Sequence, residues 1–384
     1  MSPITFDNIM YLFRFLLLYI NNYETCEDVL VKASSISCTV RESTSFNGIE
    51  MHLFRISMLI RIYLITPFRI PCNEALAPRL ELTVKYNQNI IAAMLAIGAS
   101  AILSFIDNFV GEISEEAGLW QFQLTRTLMA LPLLYLGSRV FKANIMPSNI
   151  KLLVIRSGIV SAGLLMYFAT LGFLPVTQAA AGLFSAPIWV LIFSATLFSQ
   201  RLVTWQILAT LGGFAGVLIL LKVDPRSITW LASLPLLAGA FYGLGMMITR
   251  HWCASENLAS LAFGIFISMG AFSILPLTYF TFWPSTGEAS LFIMRGYQPV
   301  SSTFYWLTLL QAVGAVIAVS LISQAYRIGD PTYVAVFEYS FLIFAAIWTF
   351  LLWNKGIGID AAFGIALIIV CGSVIAIIGG KRKN

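Results

Sequence analysis

The sequence predicts an all-α integral membrane protein, with ten transmembrane helices arranged as two inverted five-helix repeats. Three observations lead to this fold class: the composition, a series of long apolar runs, and a similarity between the two halves of the chain. The 384 residues are 59% hydrophobic and 11% charged, with a mean hydropathy of +0.85. A soluble domain is typically about a quarter charged. The composition therefore indicates a chain that crosses the membrane many times.

The apolar runs define the individual spans, because a helix needs about 20 mainly apolar residues to cross the hydrocarbon core. From residue 90 onward such runs follow one another near 90–110, 121–138, 152–173, 176–198, 203–221, 229–249, 258–280, 303–325, 332–353 and 359–379. The connections are short apart from residues 281–302, which leaves no room for a soluble domain. Two GxxxG spacings, Gly212/Gly216 and Gly239/Gly243, predict close helix packing.

The basic residues predict the orientation, because cytoplasmic loops carry an excess of Lys and Arg. If the segment before residue 90 is cytoplasmic, four of these residues are external: Lys222, Arg226, Arg295 and Lys355. Twelve are internal: Arg79, Lys85, Arg139, Lys142, Lys151, Arg156, Arg201, Arg250, Arg327, Lys381, Arg382 and Lys383. Both ends of the bundle are therefore predicted to be cytoplasmic.

Residues 1–88 do not fit the bundle. Their two apolar stretches are short and interrupted by arginines, and they match a secretory signal peptide poorly. An interfacial extension and an overlong gene model are the two main interpretations, and an extra functional domain is a third.

A comparison of the two halves indicates a duplication. A shift of 156 residues pairs Pro175 with Pro331 and Gly216 with Gly372. Pro175 falls in a predicted external turn and Pro331 in a predicted internal turn. The same pattern at opposite membrane faces is typical of an inverted repeat.

The stretch "ATLGFLPVTQAAAGLFSAPIWVLIFSATLFSQRLVTWQILATLGGFAGVLIL" resembles the third-to-fifth helix signature of EamA-type carriers, in the drug/metabolite transporter (DMT) superfamily. Pro187, Arg201 and Gly212 lie where that pattern expects them. Arg126, in "LTRTLMALPLL", is similar to an arginine of that family's second helix. The resemblance implies a first repeat over 89–222, a second over 228–380, and the transport of metabolites or drugs.

Two positions depart from that family's pattern. A glutamate usually ends the fourth and ninth helices there, whereas Gln200 and Asn354 stand at these places. The family's cargo ranges from amino acids to nucleotides and drugs, so the resemblance does not identify a substrate.

Ionisable residues within apolar spans are the first candidates for substrate binding, because a charge in hydrocarbon is costly. Glu338 lies about six residues beyond Pro331, roughly 9 Å deep. It is predicted to bind a cationic group or carry a proton, or else to form a structural pair with Arg156. Asp107 and Arg126 are predicted to form an ion pair or to bind substrate, with Arg126 holding an anionic group such as a carboxylate. Arg156 itself is predicted to extend its side chain to the cytoplasmic headgroups.

Four further residues complete the predicted substrate-binding set. Gln178 supplies hydrogen-bonding groups, and Trp189, Tyr242 and Tyr339 supply rings that stack on a planar or cationic substrate. Helix packing is the alternative interpretation for each of them.

These features together predict a secondary transporter that moves a small organic metabolite, amino-acid-like or otherwise charged or amphipathic, across the inner membrane by alternating access. No GxxxxGK[ST] motif is present, which excludes nucleotide binding of that kind. A membrane-embedded enzyme and a non-transporting receptor or scaffold are the alternatives.

The expected partners are the substrate and membrane lipids, and a homodimer is left open. The basic residues are dispersed, so nucleic acid is not expected. The sequence has five cysteines and two histidines without CxxC or clustering, which predicts neither a metal site nor a cofactor.

Overall fold

The computed structural model of the protein describes residues 77–140, 143–170, 174, 176–224, 226, 230–284, 292–354 and 358–381. The helical bundle belongs to one compact unit, Leu82–Asn384. Most of the predicted N-terminal extension, up to residue 76, and the turn proline Pro175 lie outside the described residues.

Helices form the described part of the chain. In chain order they are α1 (Ala77–Asp107), α2 (Val110–Glu116), α3 (Leu119–Val140), α4 (Ile150–Thr170), α5 (Val176–Leu183), α6 (Ala186–Thr196), α7 (Thr204–Leu220), α8 (Ser233–Trp252), α9 (Leu258–Phe282), α10 (Ser302–Ile328), α11 (Pro331–Phe337), α12 (Ser340–Trp353) and α13 (Ile359–Lys381). A 3₁₀ turn, Trp230–Ala232, precedes α8.

Within the described residues, 8 helical segments are long and apolar enough to cross a membrane. They correspond to eight of the predicted spans. At the second and fifth predicted spans the structure has α3 and the shorter apolar helix α7, neither of which is among the eight. The all-helical membrane class is therefore supported, and the figure of ten spans remains a prediction.

Three of the predicted runs are not continuous helices, which corrects the sequence interpretation. Two-residue turns separate α1 from α2 at Asn108–Phe109, α5 from α6 at Phe184–Ser185, and α11 from α12 at Glu338–Tyr339. Pro187 explains the second turn, because it has no N–H with which to continue the helix from Leu183. At the first turn the Asn108 side chain donates to Ser104 O at 2.7 Å. The third turn contains neither Pro nor Gly, so the sequence gives no signal that the helix is interrupted there.

Close packing of the helices depends on glycines, as the GxxxG spacings predict. A Cβ atom on Gly216 of α7 would lie 2.9 Å from Gly364 O of α13, and one on Gly239 of α8 would lie 2.7 Å from Gly182 O of α5. Neither approach leaves room for a side chain. The backbones of these helix pairs therefore pack directly against each other.

Residues 292–301, which we call the strap, form a non-helical segment beside the start of α3. Leu119 N donates to Phe292 O at 2.7 Å. The Gln121 amide donates to Gln298 O at 2.8 Å and accepts from Gln298 N at 2.8 Å. Backbone groups thus attach the strap to one end of the bundle, ahead of α10.

Candidate functional site

A cavity lies among the helices, enclosing about 1170 Å³ of non-atom space with its solvent-open portion included. Its wall is mostly aliphatic and aromatic. The ionisable and phenolic side chains in the wall are Asp107, Arg126, Tyr167, Tyr242 and Glu338. These come from α1, α3, α4, α8 and the turn after α11, so helices from both halves of the chain build one site.

Glu338 lies in the turn between α11 and α12 and is partly buried. Two tyrosine hydroxyls bind its carboxylate. Tyr242 of α8 donates to Oε2 at 2.9 Å, and Tyr326 of α10 donates to Oε1. Hydrogen bonds to a carboxylate are stronger than those between neutral groups, so the two tyrosines hold the acid in the cavity wall without neutralising it.

Arg156 is not the partner of Glu338, which corrects the sequence prediction. Its guanidinium donates to Thr249 Oγ1 at 2.8 Å, to Leu261 O at 3.1 Å and to Ser323 Oγ at 3.2 Å. The side chain is 0% exposed, so it does not extend to the headgroups either. Because its three acceptors lie on α8, α9 and α10, this arginine on α4 connects four helices.

Asp107 and Arg126 line the same cavity, and their charges interact as predicted, but their side chains do not form a direct salt bridge. The salt bridge found among the described residues, with an N–O distance of 3.0 Å, joins Lys222 to Asp360 instead. Arg126 donates from Nη2 to Met269 Sδ at 3.7 Å, and its Cζ atom lies 5.3 Å from the centre of the Phe122 ring. Its Nε atom has no hydrogen-bond partner among the described residues. Asp107 is the last residue of α1, next to a helix break.

Three of the predicted substrate-binding residues are not in the cavity wall. Gln178 is buried on α5. Trp189 of α6 stacks on Phe193, with ring centres 5.8 Å apart. Tyr339 is 0% exposed and packs against Gly213, where an added Cβ would lie 2.7 Å from its ring. Although Tyr339 follows Glu338 directly, it faces the core between α7 and α13.

The sequence did not single out Tyr326, Phe184 or Phe341. Tyr326 binds Glu338. Phe184 and Phe341 both line the cavity, with ring centres 5.4 Å apart. Phe184 is in the turn between α5 and α6, and Phe341 is three residues beyond Glu338. The sequence signal for all three is weak, since the chain has 29 phenylalanines and 14 tyrosines and only the packing shows which ones surround the acid.

The arrangement has the chemistry of a ligand-binding site. Charged side chains inside membrane spans face bundle interiors or aqueous cavities and mark binding or conduction pathways. Broken helices with polar groups at their ends are a recurring form of such sites in transporters. The fold thus defines an integral membrane protein, and the largely apolar cavity with its few charged and phenolic groups is the candidate binding site.

Bacterial transporters are similar to this chain. The pseudopaline exporter of Pseudomonas aeruginosa is 22% identical over 284 residues, covering 72% of this chain and 93% of the exporter. A riboflavin transporter of Brucella anthropi is 26% identical over 257 residues, covering 65% and 83%. The S-adenosylmethionine uptake transporter of Rickettsia prowazekii is 21% identical over 301 residues, covering 78% and 95%.

A solved crystal structure, of a chain described only as "protein", has the same fold, with a TM-score of 0.63 at 17% identity, covering 76% of this chain and 99% of the other. No family model matches the sequence. The relatives and the apolar helices together support a bacterial integral membrane protein that transports small molecules.

Proposed function

We propose that this protein is a secondary transporter of the EamA type, which moves a small, charged or amphipathic organic metabolite across the membrane by alternating access. One observation carries the proposal. The cavity is built by helices of both halves, and it contains a carboxylate, Glu338, placed at a helix break and, among the described residues, bound by two neutral tyrosine hydroxyls. A site of this kind provides a binding group that a cationic solute or a proton can use.

The relatives support transport but do not identify the cargo. They are named for three different metabolites, pseudopaline, riboflavin and S-adenosylmethionine, and for both export and uptake. The substrate and the direction of transport must therefore be inferred from this chain's own cavity and not from the relatives.

The helix contacts support the proposed inverted repeats, 89–222 and 228–380. In such a bundle the second span should face the seventh and the fifth should face the tenth. Accordingly α3 contacts α9, and α7 contacts α13. The contact of α4 with α9 also has its counterpart in the contact of α10 with α3. Two similar halves around a central site are the basis of alternating access.

The orientation belongs to the same proposal, with both ends of the bundle on the cytoplasmic side of the inner membrane. The distribution of Lys and Arg supports it. A reporter fused after Asn384 should be cytoplasmic, and one inserted at Glu115 should be external. The reverse location at either site would contradict the orientation.

Transport is tested directly with the purified full chain in liposomes. Vesicles are loaded with a mixture of unlabelled metabolites, and the same mixture in isotope-labelled form is added outside. Without nucleotide, the labelled form of the substrate should accumulate inside by counterflow. Mass spectrometry of the vesicle contents would identify it. A chain that inserts and remains folded but exchanges no member of a broad metabolite panel would favour the alternative, a membrane-embedded enzyme or a non-transporting receptor or scaffold.

A further inference from the structure

The cavity has two separate polar ends. At the first end are Asp107 and Arg126, one acid and one base that are not joined by a salt bridge. Arg126 is only 7% exposed, and its Nε atom has no partner among the described residues. The charges of Arg126 and Asp107 interact without a direct salt bridge, so the buried pair is only partly compensated. A ligand that brings both a cation and an anion would complete this end.

The second end has one acid and several rings. Glu338 accepts hydrogen bonds from Tyr242 and Tyr326, and the paired rings of Phe184 and Phe341 line the same cavity. A carboxylate next to aromatic faces suits an organic cation, because both the charge and the ring quadrupoles attract it. No basic side chain forms a salt bridge with Glu338 in the described part of the structure.

Helix α10 runs from one end of the cavity to the other. Gln311 donates to Ile106 O at 2.6 Å, next to Asp107, and therefore marks the first end. Tyr326 donates to Glu338 and marks the second. These two residues are 15 positions apart, which corresponds to about 22 Å of helix axis before side-chain reach is subtracted. The α10 residues that line the cavity between them are Ala315, Val319 and Ile322, all apolar.

We propose that the cavity binds an α-amino acid that carries a second, distal cationic group. The α-carboxylate binds Arg126 and the α-ammonium binds Asp107. The distal cation binds Glu338 between the phenyl rings, and an apolar chain lies against α10. An amino acid with a neutral side chain leaves Glu338 without a cationic partner, because its ammonium and carboxylate groups are both attached to Cα. This inference rests on the proposed function only in taking the cavity as the cargo site.

The test uses matched probes with the purified full chain in lipid nanodiscs. Lysine and its longer-chain homologues carry all three charged groups. Norleucine lacks the distal ammonium, and cadaverine lacks the carboxylate. Calorimetric titration should show that the best-fitting member of the lysine series binds at least about tenfold more tightly than either truncated probe, a difference of about 1.4 kcal/mol. Equal affinities for the three kinds of probe, or no binding by any of them, would overturn the proposal.

Two substitutions assign the ends. In Glu338→Gln the preference for lysine-type probes over norleucine should disappear, while norleucine binding is unchanged. Glu338→Asp keeps the charge and should keep part of the preference. In Arg126→Met both amino acids should weaken together, while cadaverine is unaffected. Ser185→Ala, at the break between α5 and α6, is the matched control. The melting temperature of each variant verifies folding. A preference that survives in Glu338→Gln would contradict the assignment.

Flux measurements distinguish this inference from the proposed function. If the nanodisc protein shows the expected preference but liposomes accumulate none of these probes, the binding site stands and the transport function fails. If liposomes accumulate a solute without a distal cation and the preference is absent, transport stands and the substrate class is wrong.

Discussion

Two helix breaks in this molecule have the same form but different contents. The break at Phe184–Ser185 contains only apolar and hydroxyl side chains, and Ser185 Oγ donates to Gly182 O at 2.6 Å. The break at Glu338–Tyr339 contains an acid bound by tyrosines from two other helices. Because the first break forms without a charged residue, interrupting the helix does not require one. The carboxylate at the second break is therefore not needed to form a break of this kind.

Packing explains why an acid is present at the second break but not at the equivalent position in the first half of the chain. Gly182 is the counterpart of Glu338 under the 156-residue shift. A Cβ atom on Gly182 would lie 2.4 Å from Cβ of Pro235 in α8. No side chain fits at that place, whereas Glu338 has the open cavity before it. Phe184 of the first break also lines the cavity, but the position equivalent to Glu338 is filled by α8, so we call the first break closed and the second open.

The largest expected effect is on transport, at the open break. Glu338→Gln keeps the shape of the side chain but removes its charge, and its amide nitrogen donates where one carboxylate oxygen accepted from a tyrosine. Liposome uptake should fall to background, while thermal unfolding and expression remain those of the wild type. If the fold instead becomes unstable, the hydrogen bonds from Tyr242 and Tyr326 give the acid a structural role and the comparison fails.

The next effect is on stability, at the closed break. Gly182→Ala places a methyl group against Pro235, and overpacking of this kind costs about 1–3 kcal/mol. The melting temperature of the detergent-solubilised protein should fall. Gly158→Ala, in α4, is the matched control, because a Cβ atom at Gly158 would meet no other atom within 4 Å. An unchanged melting temperature in Gly182→Ala would show that α5 and α8 separate easily.

The smallest effect is expected for Ser185→Ala, which removes one hydrogen bond within the closed break. The loss should be about 1 kcal/mol of unfolding free energy. The transport rate should be unchanged, because Ser185 does not line the cavity. A large loss of transport in this variant would mean that the shape of the closed break, and not the charge of the open one, controls turnover.

The sequence predicted the apolar helices and the main ionisable residues of the cavity for a simple physical reason. A charge at Glu338, Arg126 or Asp107 is conspicuous within an apolar run, and its cost there implies a use. The helix breaks and the Tyr326 contact were not predictable in this way. They depend on which helices meet, and an apolar run has the same hydropathy whether or not a turn interrupts it.

Arg156 had a wrong predicted partner for the same reason. Because Glu338 was placed at a similar depth, it was a predicted partner for Arg156. Two hydroxyls and a carbonyl from three helices accept the hydrogen bonds of Arg156 instead. Neutral acceptors are abundant in every helix, so residue type alone gives no means of choosing among them.

The bonds of Arg156 also constrain how the bundle can move. They attach α4, from the first half of the chain, to α8, α9 and α10, from the second half. These bonds oppose separation of the four helices. For the proposed alternating access, we therefore expect the boundary between moving parts to differ from the boundary between the proposed repeats and to lie where α11 meets α8 and α10. Glu338 is located at that surface, so a displacement of the helices there would change the distance between the acid and its two tyrosines.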